Sequence, residues 1–163
     1  MDIHGEHHYD HPAAAVFKYF SDPDLIQAKF ESIGTRAVEV LECAEIDGGV
    51  TQSKREVPAN VPGVLKKFLG AWNKVTQTEE WGPEEDGERV CDLNVEIAGV
   101  PVTVSGTMTL RSEGQGCVND IHIKVSCSIP LVGGKLAAFV ASDTETAMND
   151  EYDYIKSQLD AGA

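Results

Sequence analysis

The sequence predicts an α+β fold in which one long C-terminal helix lies along an antiparallel sheet of seven strands. Three observations carry this. Residues 131–159 run without proline, and Leu136, Phe139, Val140, Ala147, Met148, Ile155 and Leu159 recur at spacings near 3.6, which marks one apolar helix face. Acids and amides, among them Asp143, Glu145, Asn149, Asp150, Asp153 and Gln158, fill the opposite face. Six further segments upstream read as strands separated by turn chemistry, and an alternating stretch over residues 2–9 opens the chain. A helix of about 25 residues is about 38 Å long, so it needs an apolar surface of matching length, which the strands offer.

In chain order, residues 2–9 alternate, with Ile3, Gly5, His7 and Tyr9 on one face and His4, Glu6 and His8 on the other. Asp10-His11-Pro12 then starts a short helix whose Val16, Phe17 and Phe20 form an inward stripe. Asp22 is the N-cap of a second helix, Pro23 its first residue and Gly34 its left-handed stop, with Leu25, Ile26 and Phe30 inward. Strands are expected over 38–46, 50–57, 72–81, 88–97, 101–111 and 117–127. The turn Asp47-Gly48-Gly49 joins the first two as a hairpin. Residues 82–87, Ala98-Gly99 and 114–116 are turns between the later ones. The last three strands alternate cleanly: Cys91, Leu93, Val95 and Ile97, then Val102, Val104, Met108 and Leu110, then Ile121, Ile123 and Val125 face one way. Such a sheet has one covered and one wet face.

A length of 163 residues and 42% hydrophobic content predict one domain over 1–163 with a proper core. The net charge of −14, from 27 acids and 13 bases, excludes nucleic acid and anionic headgroups as general partners. The start Met1-Asp2-Ile3-His4 lacks the basic and apolar stretches of a signal peptide, and 129–141 is too short to span a bilayer. Cys43, Cys91, Cys117 and Cys127 show no metal-ligand spacing. A cytoplasmic protein is expected.

The order strand, two short helices, six strands, long helix resembles the helix-grip fold of the START, polyketide-cyclase and birch-pollen-allergen (SRPBCC) superfamily across nearly the whole chain. More locally, the stretch His11-Pro12-Ala13-Ala14-Ala15-Val16-Phe17-Lys18-Tyr19-Phe20-Ser21-Asp22-Pro23 and the lead-in Ile129-Pro130-Leu131-Val132-Gly133-Gly134-Lys135 resemble the bacterial domain-of-unknown-function family 2505. The resemblance implies a curved seven-stranded sheet wrapped around the final helix. It also implies a cavity between them for a hydrophobic small molecule, whether lipid, sterol or polyketide-like. A cyclase or dehydratase acting on an aromatic or polyketide substrate in the same cavity is the alternative.

On that basis the expected cavity lining is Leu93, Val95, Val104, Met108, Leu110, Ile121 and Ile123 from the sheet, with Phe139 and Met148 from the helix. Leu65, Phe68 and Leu69 belong to segment 61–71, whose local apolar and basic character (Lys66, Lys67) reads either as a lid making transient membrane contact or as a plug at the end of the sheet. Arg55 is the available handle for a carboxylate or phosphate if it points inward, because a guanidinium binds both through two parallel hydrogen bonds. The default for an arginine is the surface, on an edge-like strand solvated on both faces. His4, Glu6 and His8 share a face with a spacing that suits a transition metal, but the ligand count falls short, so no metal and no cofactor is expected. His122 is expected on the wet face. No nucleophile elbow or Gly-rich phosphate loop is present, and the inner faces of the last three strands offer few polar groups beyond Cys91, Cys117 and Cys127, which argues against catalysis.

Overall fold

In the computed structural model, which describes residues 1–162, the chain runs β1 (Asp2–Tyr9), α1 (Ala13–Ser21), α2 (Pro23–Ser32), β2 (Arg36–Glu42) and β3 (Gly49–Pro58). A single 3-10 turn (Gly63–Leu65) follows, then β4 (Trp72–Trp81), β5 (Glu88–Ile97), β6 (Thr103–Glu113), β7 (Gly116–Ser126) and α3 (Gly133–Asp160). All seven strands form one curved antiparallel sheet in the order β1-β7-β6-β5-β4-β3-β2. Strands β2 to β7 are a meander, and β1 adds to its far edge, pairing Asp2 with Lys124 through to Tyr9 with Cys117. This is the α+β helix-grip architecture that the sequence predicts.

Local chemistry explains the helix boundaries. The Asp22 N–H donates to the Lys18 carbonyl and closes α1, while its carboxylate accepts from the N–H groups of Asp24 and Leu25 at 2.9 and 3.2 Å and opens α2. One aspartate thus makes the bend between the two helices. Gly34 follows α2 with a φ of +89°, a conformation that side-chain-bearing residues rarely adopt.

The burial pattern of β1 alternates strictly, with Ile3, Gly5, His7 and Tyr9 inward. The inner face of the sheet and the buried face of α3 (Leu136, Ala137, Val140, Ala141, Met148, Ile155 and Leu159) share one hydrophobic core. The cover is uneven. α3 packs along β1 and β7, α1 approaches β6 and β7, and α2 leans on β2. The concave faces of β3, β4 and β5 are therefore left at a distance from the long helix. At the middle of β6, Gly106 lies so close to β7 that a Cβ would collide with the His122 carbonyl.

The structure departs from the expected pattern at two strands. The second strand ends at Glu42 instead of continuing to residue 46, just after a register shift between Val40 and Glu42 interrupts its pairing with β3. Ile46 is then left exposed. β3 is neither edge-like nor solvated on both faces: it lies between β2 and β4, with Thr51, Ser53 and Arg55 buried.

Candidate functional site

The gap between α3 and the sheet is a pocket of about 140 Å³. Its apolar walls come from Leu93, Val95 and Ile97 of β5, Val104 and Met108 of β6, Ile121 and Ile123 of β7, and Phe139, Val140, Ala147, Met148 and Ile155 of α3. Leu69 closes it from segment 59–71, next to Val57, Ala59 and Asn73 at the ends of β3 and β4. Arg55 lies in the wall, inward-facing and only 8% exposed.

Of the residues singled out from the sequence, Arg55, Leu69, Leu93, Val95, Val104, Met108, Ile121, Ile123, Phe139 and Met148 converge on this pocket. Leu65, Phe68 and Leu110 do not line it. Leu110 lies farther along β6, where α1 covers the sheet, and packs into the solid core. Leu65 is buried against the core and Phe68 is half-buried beside it.

The pocket carries more polar groups than the sequence suggested. Arg55 stacks on Phe30 with its guanidinium carbon 4.0 Å from the ring centre. Its Nε and Nη1 are buried without a hydrogen-bond partner. Burial pulls the proton affinity of this guanidinium down, and the charges of Glu151 and Glu79 counter it. Both acids are engaged elsewhere. Glu151 lies 3.5 Å from the buried Lys29 ammonium, which also donates to the Tyr19 carbonyl at 3.0 Å. Glu79, behind the wall, accepts from Gln77 Nε2 at 2.6 Å and from Trp81 Nε1 at 2.9 Å. Burial raises the Glu79 carboxyl above its usual range, opposed by Lys29, Trp81 and Gln77.

On the β1 and β7 side, His7 lies flat against Tyr152, with ring centres 4.2 Å apart and planes 7° from parallel. Burial lowers its proton affinity, while a hydrogen bond with Asn149 and the charges of Glu151 and Asp153 oppose that shift. The Tyr152 hydroxyl donates to the His8 carbonyl at 2.8 Å. Asn119 is 1% exposed; its Nδ2 points to Met108 Sδ at 3.8 Å and its Oδ1 has no partner.

The family described as "Protein of unknown function (DUF2505)" matches residues 4–159. The chain belongs to this family. No curated protein matches its sequence. Three solved structures share the family member's fold at low identity. TTHA0849 from Thermus thermophilus aligns over 100% of this chain and 99% of its own with a TM-score of 0.66 and 16% identity. A STAR-related lipid transfer protein (fragment 25–204) from Xanthomonas axonopodis aligns over 97% and 85% with a TM-score of 0.64 and 16% identity. Ara h 8.0201 aligns over 96% and 98% with a TM-score of 0.61 and 14% identity. The likeness is one of fold, and it agrees with the helix-grip architecture that the sequence pattern implied.

The polar pocket residues had a legible signal in this family member. Gln77 and Glu79 share the parity of Val75 and Trp81 on β4, and Asn119 shares that of Ile121 and Ile123 on β7. Glu151 falls on the α3 stripe between Met148 and Ile155. Asn119 also corrects the expectation that the last three strands bring almost no interior polar group.

The histidines sort differently from the spacing argument. His8 pairs with Glu6 at 2.9 Å and His11 with Asp160 at 2.8 Å. His4 instead meets Asp120 at 2.8 Å and stacks on His122, all on the outer face of β1 and β7. His122 is on the wet face, as alternation places it. All four cysteines are free, and burial raises the Cys117 thiol to about 11 and the Cys91 thiol further. No helix among the described residues is long and apolar enough to cross a membrane.

Proposed function

We propose that this protein binds and carries a hydrophobic small molecule in the pocket between α3 and the sheet. The observation behind this reading is that a largely apolar hollow persists where α3 lies away from β3, β4 and β5, bounded by ten of the residues that the sequence pattern singled out. Burial of a ligand's apolar body there is worth about 25 cal/mol per Å² before ordering costs. As it stands, the space is close to the apolar cavity of about 150 Å³ that holds benzene. The body taken in is thus a small ring or a medium-length chain, and a longer lipid needs α3 or segment 59–71 to move.

The test is native mass spectrometry of gently purified protein with solvent extraction, alongside Ala147→Phe. Ala147 faces the pocket, so the larger side chain fills it. A stoichiometric hydrophobic ligand on the wild type, absent from a folded Ala147→Phe variant, supports carriage. Equal ligand content in both places binding elsewhere.

A further inference from the structure

Resting on the carriage reading, we infer that the ligand is an amphipathic monocarboxylate whose single negative charge is received by the unpaired guanidinium of Arg55. Arginine remains charged in proteins, and a buried guanidinium without acceptors loses its hydration and gets nothing in return. Arg55 is in that position: nine-tenths buried, lining the pocket, with Nε and Nη1 bonded to nothing. Its guanidinium carbon is 4.0 Å from the centre of the Phe30 ring, and its N–H donors lie in the plane of the guanidinium. In-plane N–H pairs are the geometry that a carboxylate takes through two parallel hydrogen bonds.

The protein itself does not provide that acceptor. Glu79 is held by Gln77 and Trp81, and Glu151 is paired with Lys29. Neither comes within ion-pair distance of Arg55 among the described residues. Their charges nevertheless act on Arg55, and a guest's charge adds to theirs. A phosphate monoester, at about −1.5 to −2, would bring a second charge close to the buried Glu79 and the partly exposed Glu151. A monoanion answers the one open guanidinium. The apolar body of the guest meets the apolar part of the wall, Leu93, Val95, Val104 and Phe139 among it.

Isothermal titration with decanoate, decanol, methyl decanoate and decyl phosphate tests the assignment. These differ in the head and share the chain. Decanoate is expected to bind the wild type at least tenfold more tightly than the other three. In Arg55→Met that preference disappears while decanol binding stays within about twofold, and in Arg55→Lys, which keeps the charge and loses the fork, the preference falls to an intermediate value. Equal binding of decanoate and decanol by the wild type overturns the carboxylate assignment and leaves carriage standing, as does tightest binding of decyl phosphate. A decanoate preference that survives in a folded Arg55→Met overturns the role of Arg55. Failure of all four probes, and of the shorter hexanoate and hexanol, to bind overturns the carriage reading and the assignment together.

Discussion

The guanidinium of Arg55 lies over the ring of Phe30, 4.0 Å from its centre, and this contact is its main interaction inside the protein. A cation–π contact of this kind is worth about 0.5–2 kcal/mol. That is less than the several kcal/mol that desolvating an unpaired charge costs. The ligand-free protein therefore holds Arg55 at a net loss. Arg55→Met, which fills similar volume, is expected to stabilise the empty protein by about 1–3 kcal/mol in urea unfolding. Destabilisation of more than about 1 kcal/mol would mean that the charge is already compensated within the fold.

His7 gives the stability a pH dependence of defined sign. Burial lowers its folded-state proton affinity below the ordinary histidine value of 6.5, so between the folded and unfolded values the unfolded chain binds more protons. Stability then rises with pH through that window, and acidification below 6.5 costs stability as His7 must charge against its burial. In His7→Phe, which keeps the stack on Tyr152, the stability difference between pH about 7.5 and pH about 5.5 is expected to shrink. An unchanged difference, followed by urea midpoints, assigns the effect to other groups.

Two inward glycines differ in what crowds them. At Gly106 a Cβ meets the backbone carbonyl of His122, which cannot retreat without breaking the β6–β7 ladder. At Gly5 it meets the end of the flexible Met148 side chain at 2.9 Å. Gly106→Ala is therefore expected to cost about 3 kcal/mol or more, and Gly5→Ala about 1 kcal/mol or less. Comparable losses in thermal unfolding would mean that the sheet yields at Gly106.

Asp22, Pro23 and Gly34 shape the bend and the end of α2 by contacts within a few residues, so they could be read without knowing what lies far along the chain. The alternation of β1 and of β5 to β7 was equally legible, because period two needs only the strand itself. Arg55 was not. Its direction depends on β3 pairing with both β2 and β4, and the default of an exposed arginine rests on exposure frequencies alone. Leu110 and Val104 look identical in the pattern of β6, yet only Val104 faces the pocket, since α1 rather than α3 covers the far end of the strand. The size of the hollow follows from how α3 leans toward β1 and β7, which no local spacing encodes.

Segment 59–71 separates sealing from exchange at neighbouring residues. Leu65 and Leu69 are 2% and 5% exposed and close the core at the end of β3 and β4, while Val64 is 52% exposed beside the exposed Lys66 and Lys67. Phe68 is half-buried, so an aspartate there would disturb packing as well as any exchange route. Leu65→Ala is expected to cost about 2–4 kcal/mol as a core truncation. Val64→Asp is expected to change stability by no more than about 0.5 kcal/mol. If ligand leaves past this segment toward a lipid surface, Val64→Asp slows transfer to vesicles severalfold, because it places a charge where an apolar side chain would meet the headgroups. A transfer rate equal to wild type, at equal stability, would make the segment a plug and put the route at the start of α3.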